Sequence, residues 1–107
     1  MANRVDDGIT GQGGDVKVNF FATFRPIVGN KTVEMDVAEG VTLQRLLNTL
    51  VARFPPLGAE LFDPDGNLRG HVHVFVNGRD WAYLADQLET QINVEDVINI
   101  FPPVGGG

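Results

Sequence analysis

Neither cysteine nor serine occurs anywhere in these 107 residues. Without thiols there are no disulfides, thiolate metal sites, iron–sulfur clusters or cysteine nucleophiles, so any sulfur handled here has to arrive from outside. Without serine, His71 and His73, the two histidines, have no serine nucleophile to activate, and a hydrolase of that kind is excluded. Lysine is also scarce, with only Lys17 and Lys31, and the formal charge is -6. Nucleic-acid backbones and anionic lipid surfaces attract clustered Lys and Arg, so this balance speaks against nucleic acid and membrane and favours a partner with a basic face. There is no long apolar run and no repeat. The start Met1-Ala2-Asn3-Arg4-Val5-Asp6-Asp7 lacks the basic and apolar segments of a secretory signal, so the expected location is the cytoplasm.

The remaining composition, 43% apolar in a chain of this length, fits one domain with a modest core. Residues 1–15 are rich in Gly, Asp, Asn and Gln without apolar period and read as a flexible leader. From Val16 the pattern changes. Val16, Val18 and Phe20 alternate with Lys17 and Asn19, and Val33, Met35 and Val37 alternate with Glu34 and Asp36, which predicts two strands paired as a hairpin around Gly29-Asn30. Leu43, Leu46, Leu47, Leu50, Val51 and Phe54 then recur at helical spacing behind Thr42 as N-cap, until Pro55-Pro56 stops the helix. Asp63-Pro64-Asp65-Gly66-Asn67 is turn chemistry. A third strand is expected over His71–Val76, closed by Asn77-Gly78, and a last one over Val97–Phe101, closed by Pro102-Pro103.

Strand, strand, helix, strand, strand is the order of the ubiquitin-like β-grasp, and Ile100-Phe101-Pro102-Pro103-Val104-Gly105-Gly106 resembles the ending of the MoaD/ThiS-like sulfur carriers, a group that includes archaeal small ubiquitin-like modifiers. Phe21-Ala22-Thr23-Phe24-Arg25 followed by Gly29, the leucine-rich helix and Val74-Phe75-Val76-Asn77-Gly78 add to the resemblance. The implied fold is α+β, a mixed sheet of four to five strands packed on one main helix over residues 16–103, with a reactive tail at 104–107. Three features depart from the family: Glu95-Asp96 in place of a Gly-Asp turn, the leader, and a third terminal glycine.

The resemblance implies that the working group is the C-terminal carboxylate, on Gly107 or, if the third glycine is trimmed or artificial, on Gly106. Such a carboxylate is ionised at neutral pH and a poor electrophile, so it has to be activated. In proteins that resemble this one, an ATP-dependent adenylyltransferase, MoeB-like and related to ubiquitin-activating enzymes, makes an acyl-adenylate. A sulfur donor then yields a thiocarboxylate, for molybdopterin or a related pathway, or a target lysine yields an isopeptide bond. The chain is then a protein substrate and not an enzyme, binds no cofactor itself, and in the molybdopterin case joins a MoaE-like subunit. A third reading is a β-grasp interaction module with no activated tail. Gly105, Gly106 and Gly107 suit the tail because a backbone without Cβ threads a narrow cleft, and four residues from Val104 span about 13 to 14 Å when extended. Pro102 and Pro103 restrict where the tail points.

Strand parity adds a surface. With Val74, Val76, Ile98 and Ile100 facing the helix, Phe75 and Phe101 face outward, and Phe21 has the same parity; three aromatics beside a reactive tail read as a partner-docking patch. Three other signals carry less. His71 and His73 lack a third and fourth ligand, so no metal is expected there. Asp63, Asp65 and Asn67 imitate a calcium loop, but Leu68 stands where its glycine is needed. Gly11-Gln12-Gly13-Gly14 has no strand before it and no Gly-Lys-Ser/Thr ending, as a phosphate loop requires.

Overall fold

A computed structural model of the chain describes residues 14–102. Its strands are β1 (Gly14–Phe20), β2 (Thr32–Val37), β3 (His73–Val76), β4 (Arg79–Asp80) and β5 (Val97–Phe101), and its α-helices are α1 (Phe24–Val28), α2 (Leu43–Arg53) and α3 (Leu57–Leu61). Single 3-10 turns at Trp81–Tyr83 and Gln87–Glu89 fill the connection between β4 and β5. The sheet order is β2-β1-β5-β3-β4, with β5 parallel to β1 and antiparallel to β3. This is the mixed β-grasp sheet that the element order and the family resemblance imply, with the last strand in its centre.

Alternation decides which face is buried. Val16, Val18 and Phe20 of β1, Val33, Met35 and Val37 of β2, Val74 and Val76 of β3 and Ile98 and Ile100 of β5 form one core cluster with Leu43, Leu46, Leu47 and Leu50 of α2. Each of those four leucines is fully buried, which stabilises the fold by about 1.5–3 kcal/mol per side chain relative to exposure. The Thr42 hydroxyl accepts the Arg45 amide at 3.2 Å and caps α2, as its position predicts.

Several details differ from the sequence expectation. β1 includes Gly14 and Asp15, which composition alone assigns to the leader. Its hairpin with β2 is not closed by a plain turn, because α1 intervenes and ends at Gly29, whose φ of 85° is the left-handed conformation that glycine tolerates. After the predicted stop at Pro55-Pro56 the chain forms α3, with Pro56 as N-cap, where a missing amide costs nothing. His71 and Val72 precede β3 instead of belonging to it. The Asn77-Gly78 turn has both residues at positive φ, 53° and 87°, and returns the chain into β4.

Candidate functional site

The site is the root of the C-terminal tail. Because β5 runs between β1 and β3, the chain leaves the sheet from its middle, and Pro102 directly after β5 is buried. Pro103, Val104, Gly105, Gly106 and Gly107 lie outside the described residues. The expected threading tail and reactive terminus therefore have a described root and no described end.

At that root the structure brings together the three aromatics singled out from parity. The Phe21 amide donates to the Ile100 carbonyl at 3.2 Å, which holds the residue after β1 against the end of β5. Phe21 and Phe101 stack, their ring centroids 4.1 Å apart and planes 11° from parallel. Phe75 meets Phe101 edge-on at 5.6 Å and 84°, one of the two arrangements that the quadrupole of aromatic rings favours. All three are half-buried: they cover each other and still present ring surface to solvent.

Two polar side chains, Arg25 and His73, border the cluster. The Arg25 guanidinium lies 5.5 Å from the Phe21 ring centroid, and its Nε donates to the Phe20 carbonyl at 2.9 Å. On the other side His73, 6.3 Å from the Phe75 ring, approaches Asp80 of β4 with its Nδ1 3.7 Å from a carboxylate oxygen. Next along the same sheet face runs a polar ladder across three strands. Thr32 Oγ1 donates to Asn19 Oδ1 at 2.7 Å, and Asn19 Nδ2 donates to Asn99 Oδ1 at 2.8 Å. Beyond it Asp15, Lys17, Glu34, Glu95 and Asp96 line a shallow cleft with Val94 and Val97. One face thus grades from aromatic at the tail root, through neutral polar, to mainly acidic at the far end.

The asparagine ladder does not follow from the motif reading, although the outward parity of Asn19 and Asn99 is visible in the alternation of their strands. Arg25 stands in the Phe21–Arg25 segment that adds to the family resemblance, but its contacts with Phe20 and Phe21 do not follow from the sequence, because its helix is too short to show a period. Among the described residues no group of three or more His, Cys, Asp or Glu side chains is placed to hold a metal ion. In the segment that imitates a calcium loop, Asp63 Oδ1 accepts the amides of Asp65 at 2.9 Å and Asn67 at 3.0 Å, so that oxygen is engaged in closing a turn. Among the described residues no helix is long and apolar enough to cross a membrane.

Comparison with known proteins agrees with this architecture. The sequence profile of the ThiS family matches residues 18–107. Small archaeal modifier protein 3 of Haloferax volcanii is 37% identical over 93 residues, which cover 87% of this chain and 99% of that protein. A candidate sulfur carrier protein of Archaeoglobus fulgidus is 35% identical over 75 residues, 70% of this chain and 83% of its own. The crystal structure of SAMP1 from Haloferax volcanii superimposes with a TM-score of 0.76 at 33% identity, covering 88% of this chain and all of the other. The ubiquitin-like β-grasp fold is shared.

Proposed function

From the premise that the chain belongs to the ThiS family, within the MoaD/ThiS-like ubiquitin-related carriers and modifiers, we propose that it is a sulfur carrier activated at its C-terminal glycine. The observation that carries this reading is the aromatic cluster of Phe21, Phe75 and Phe101 at the point where β5 leads into the glycine tail. It offers a docking surface at the base of a segment whose only chemistry is its carboxylate. No side chain of the protein is assigned as acid, base or nucleophile in this reading, so its part is to be recognised and to deliver the tail carboxylate.

The chemistry belongs to a partner. In an ATP-dependent, MoeB-like adenylyltransferase, a tail carboxylate oxygen attacks the α-phosphorus of ATP and pyrophosphate leaves. A hydrosulfide-equivalent donor then attacks the acyl carbon, AMP departs with that oxygen, and a thiocarboxylate remains. Activation is needed because oxide is not a leaving group, whereas AMP is. The thiocarboxylate then supplies sulfur to molybdopterin synthesis, with a MoaE-like subunit, or to a related pathway. ATP is consumed by the partner and not held by this chain.

A second reading, a protein modifier, is favoured by the 37% identity to small archaeal modifier protein 3. In that case a target lysine amine attacks the same adenylate, or a thioester made from it, and an isopeptide bond forms. One experiment tests both: intact mass of the protein after incubation with an activating enzyme, ATP, a sulfide source and host proteins. Exchange of one oxygen for sulfur is the expected outcome; conjugates on lysines without that exchange replace the carrier reading with the modifier one. Neither product, with ATP and enzyme shown to be competent on another carrier, refutes activation altogether.

A further inference from the structure

We propose that Arg25 is a positioning residue for the tail, acting through Phe21 and Phe101 to fix the direction in which the chain leaves the sheet. The proposal rests on the reading of the tail as the activated group. Its starting point is α1, which intervenes between two antiparallel neighbouring strands that a two-residue turn suffices to join. Phe24 and Val28 anchor that helix in the core, and the Gly29 backbone N–H closes it by donating a hydrogen bond to the Arg25 carbonyl at 2.7 Å. The backbone of Arg25 is thereby fixed, and its side chain turns back to the sheet.

There the guanidinium is held at two points. Nε donates to the Phe20 carbonyl at 2.9 Å, and the guanidinium carbon lies 5.5 Å from the Phe21 ring centroid. Because the guanidinium is planar, pinning Nε to a backbone oxygen restrains the orientation of the whole group, which a lysine ammonium on a flexible stem does not reproduce. Phe21 is in turn held between Arg25 and Phe101, with its amide on the Ile100 carbonyl. A continuous set of contacts therefore runs from α1 through Arg25, Phe21 and Phe101 to Pro102, the last described residue before the tail.

The consequence for activation is geometric. Four residues reach at most about 13 to 14 Å when extended, so an error in the direction of the root is carried toward the end, and misplacements near 1 Å already cost about a hundredfold in an enzyme's reacting geometry. A loosened root spreads the tail over directions that miss the partner's cleft. The loss falls on productive capture of the carrier, and so on its KM, while the chemical step proceeds normally once the tail is seated.

The test uses the full chain, an activating enzyme and pyrophosphate exchange as the readout of adenylation. Arg25→Ala is expected to raise the KM for the carrier about tenfold with kcat nearly unchanged, the loss that follows from removing one charge-assisted hydrogen bond and one cation–π contact. Arg25→Lys, which keeps the charge without the fork, should fall between. Phe21→Leu should raise KM similarly, and Arg25→Ala added to Phe21→Leu should change little more, since both act on one linkage. Multiplying fold-changes in the double variant would show that Arg25 and Phe21 act independently and would overturn the proposal, as would a fall in kcat at unchanged KM. A second arm needs no enzyme. In NMR spectra of the carrier alone, Arg25→Ala should shift the ring resonances of Phe101 and speed exchange of its amide, with the far-ultraviolet circular dichroism retained. Unmoved Phe101 signals would sink the linkage even if the wild-type chain proved not to be an activated carrier, so the two failures are separable.

Discussion

The rings of Phe21 and Phe101 lie face to face, centroids 4.1 Å apart, so the residue that follows the first strand is locked to the residue that closes the last. Side chains that stack this closely in a half-buried setting contribute both to stability and to the shape of the surface they present. Phe21→Ala and Phe101→Ala should each lower the unfolding free energy, and the double variant should lose less than the sum. The expected coupling is about 0.5–1.5 kcal/mol, measured by urea unfolding in a double-mutant cycle. Strict additivity would mean that the rings touch without interacting.

The third ring separates docking from folding. Phe75 meets Phe101 by its edge and packs on the outer face of the sheet, whereas its neighbours Val74 and Val76 point into the core. Phe75→Ser is therefore expected to weaken binding to an activating enzyme about tenfold, within the range for an exposed aromatic anchor, while circular dichroism stays unchanged. Calorimetry or surface-based affinity measurement decides this. Retained affinity would move the docking surface elsewhere on the molecule.

Leu47 provides the opposite case. It lies on α2, is fully buried, and belongs to the core cluster beneath the sheet and not to the surface around the tail. Leu47→Ala should cost about 2–5 kcal/mol in urea unfolding, because a buried cavity replaces the lost methyl groups. At temperatures where the variant remains folded, adenylation should be normal. A variant that folds well and yet is not activated would show that the helix takes part in recognition.

These three predictions differ in how far the sequence alone supports them. The leucines of α2 recur at helical spacing within an eleven-residue helix, and the strands alternate wherever they are long enough to show two or three inward positions, so the main helix, four of the five strands and the outward parity of Phe21, Phe75 and Phe101 were legible, whereas the two-residue β4 was too short to show a period. The five-residue helices α1 and α3 were not, since one and a half turns cannot display a period, and Pro55-Pro56 reads as a stop although Pro56 is the N-cap of α3, where no amide is needed. At Arg25 the sequence shows a motif residue but not its contacts with Phe20 and Phe21, which run across a turn and leave no mark in spacing. The Glu95-Asp96 departure also became intelligible only in three dimensions. Asp96 accepts the Asn93 amide at 2.7 Å and the Asn77 side chain at 2.8 Å, so the hydrogen bonds of this turn rest on Asp96, with Glu95 beside it.

That pairing makes Asn77 a sensitive position. Its Oδ1 accepts the Val97 amide at 2.9 Å, its Nδ2 donates to Asp96, and its φ of 53° lies in the left-handed region that asparagine tolerates better than most residues. Asn77→Ala removes both side-chain bonds and adds backbone strain, so the expected loss is about 2–4 kcal/mol. Asn77→Gly keeps the backbone free and loses only the bonds, and should be milder. Thermal unfolding of the two variants separates the contributions, and equal losses would show that strain is not involved.

The tail yields the sharpest contrast between stability and function. Gly106 and Gly107 follow a buried Pro102 and lie beyond the last strand, so they are not needed to form the core that α2 and the sheet build among the described residues. On the proposed function, glycine is expected there because a backbone without Cβ threads a narrow partner cleft that a side chain would obstruct. Replacing both with valine should reduce adenylation about a hundredfold or more, the scale expected when the reacting carboxylate is displaced, and leave the thermal midpoint where it was. Single replacements then locate the reacting end. If Gly107→Val abolishes adenylation but deletion of Gly107 does not, the partner accepts Gly106 as terminus and the third glycine is dispensable. If deletion abolishes it as well, the length of the tail is read along with its lack of side chains. Undiminished adenylation of the double valine variant would remove the tail from the chemistry and leave the aromatic face as a docking surface for some other purpose.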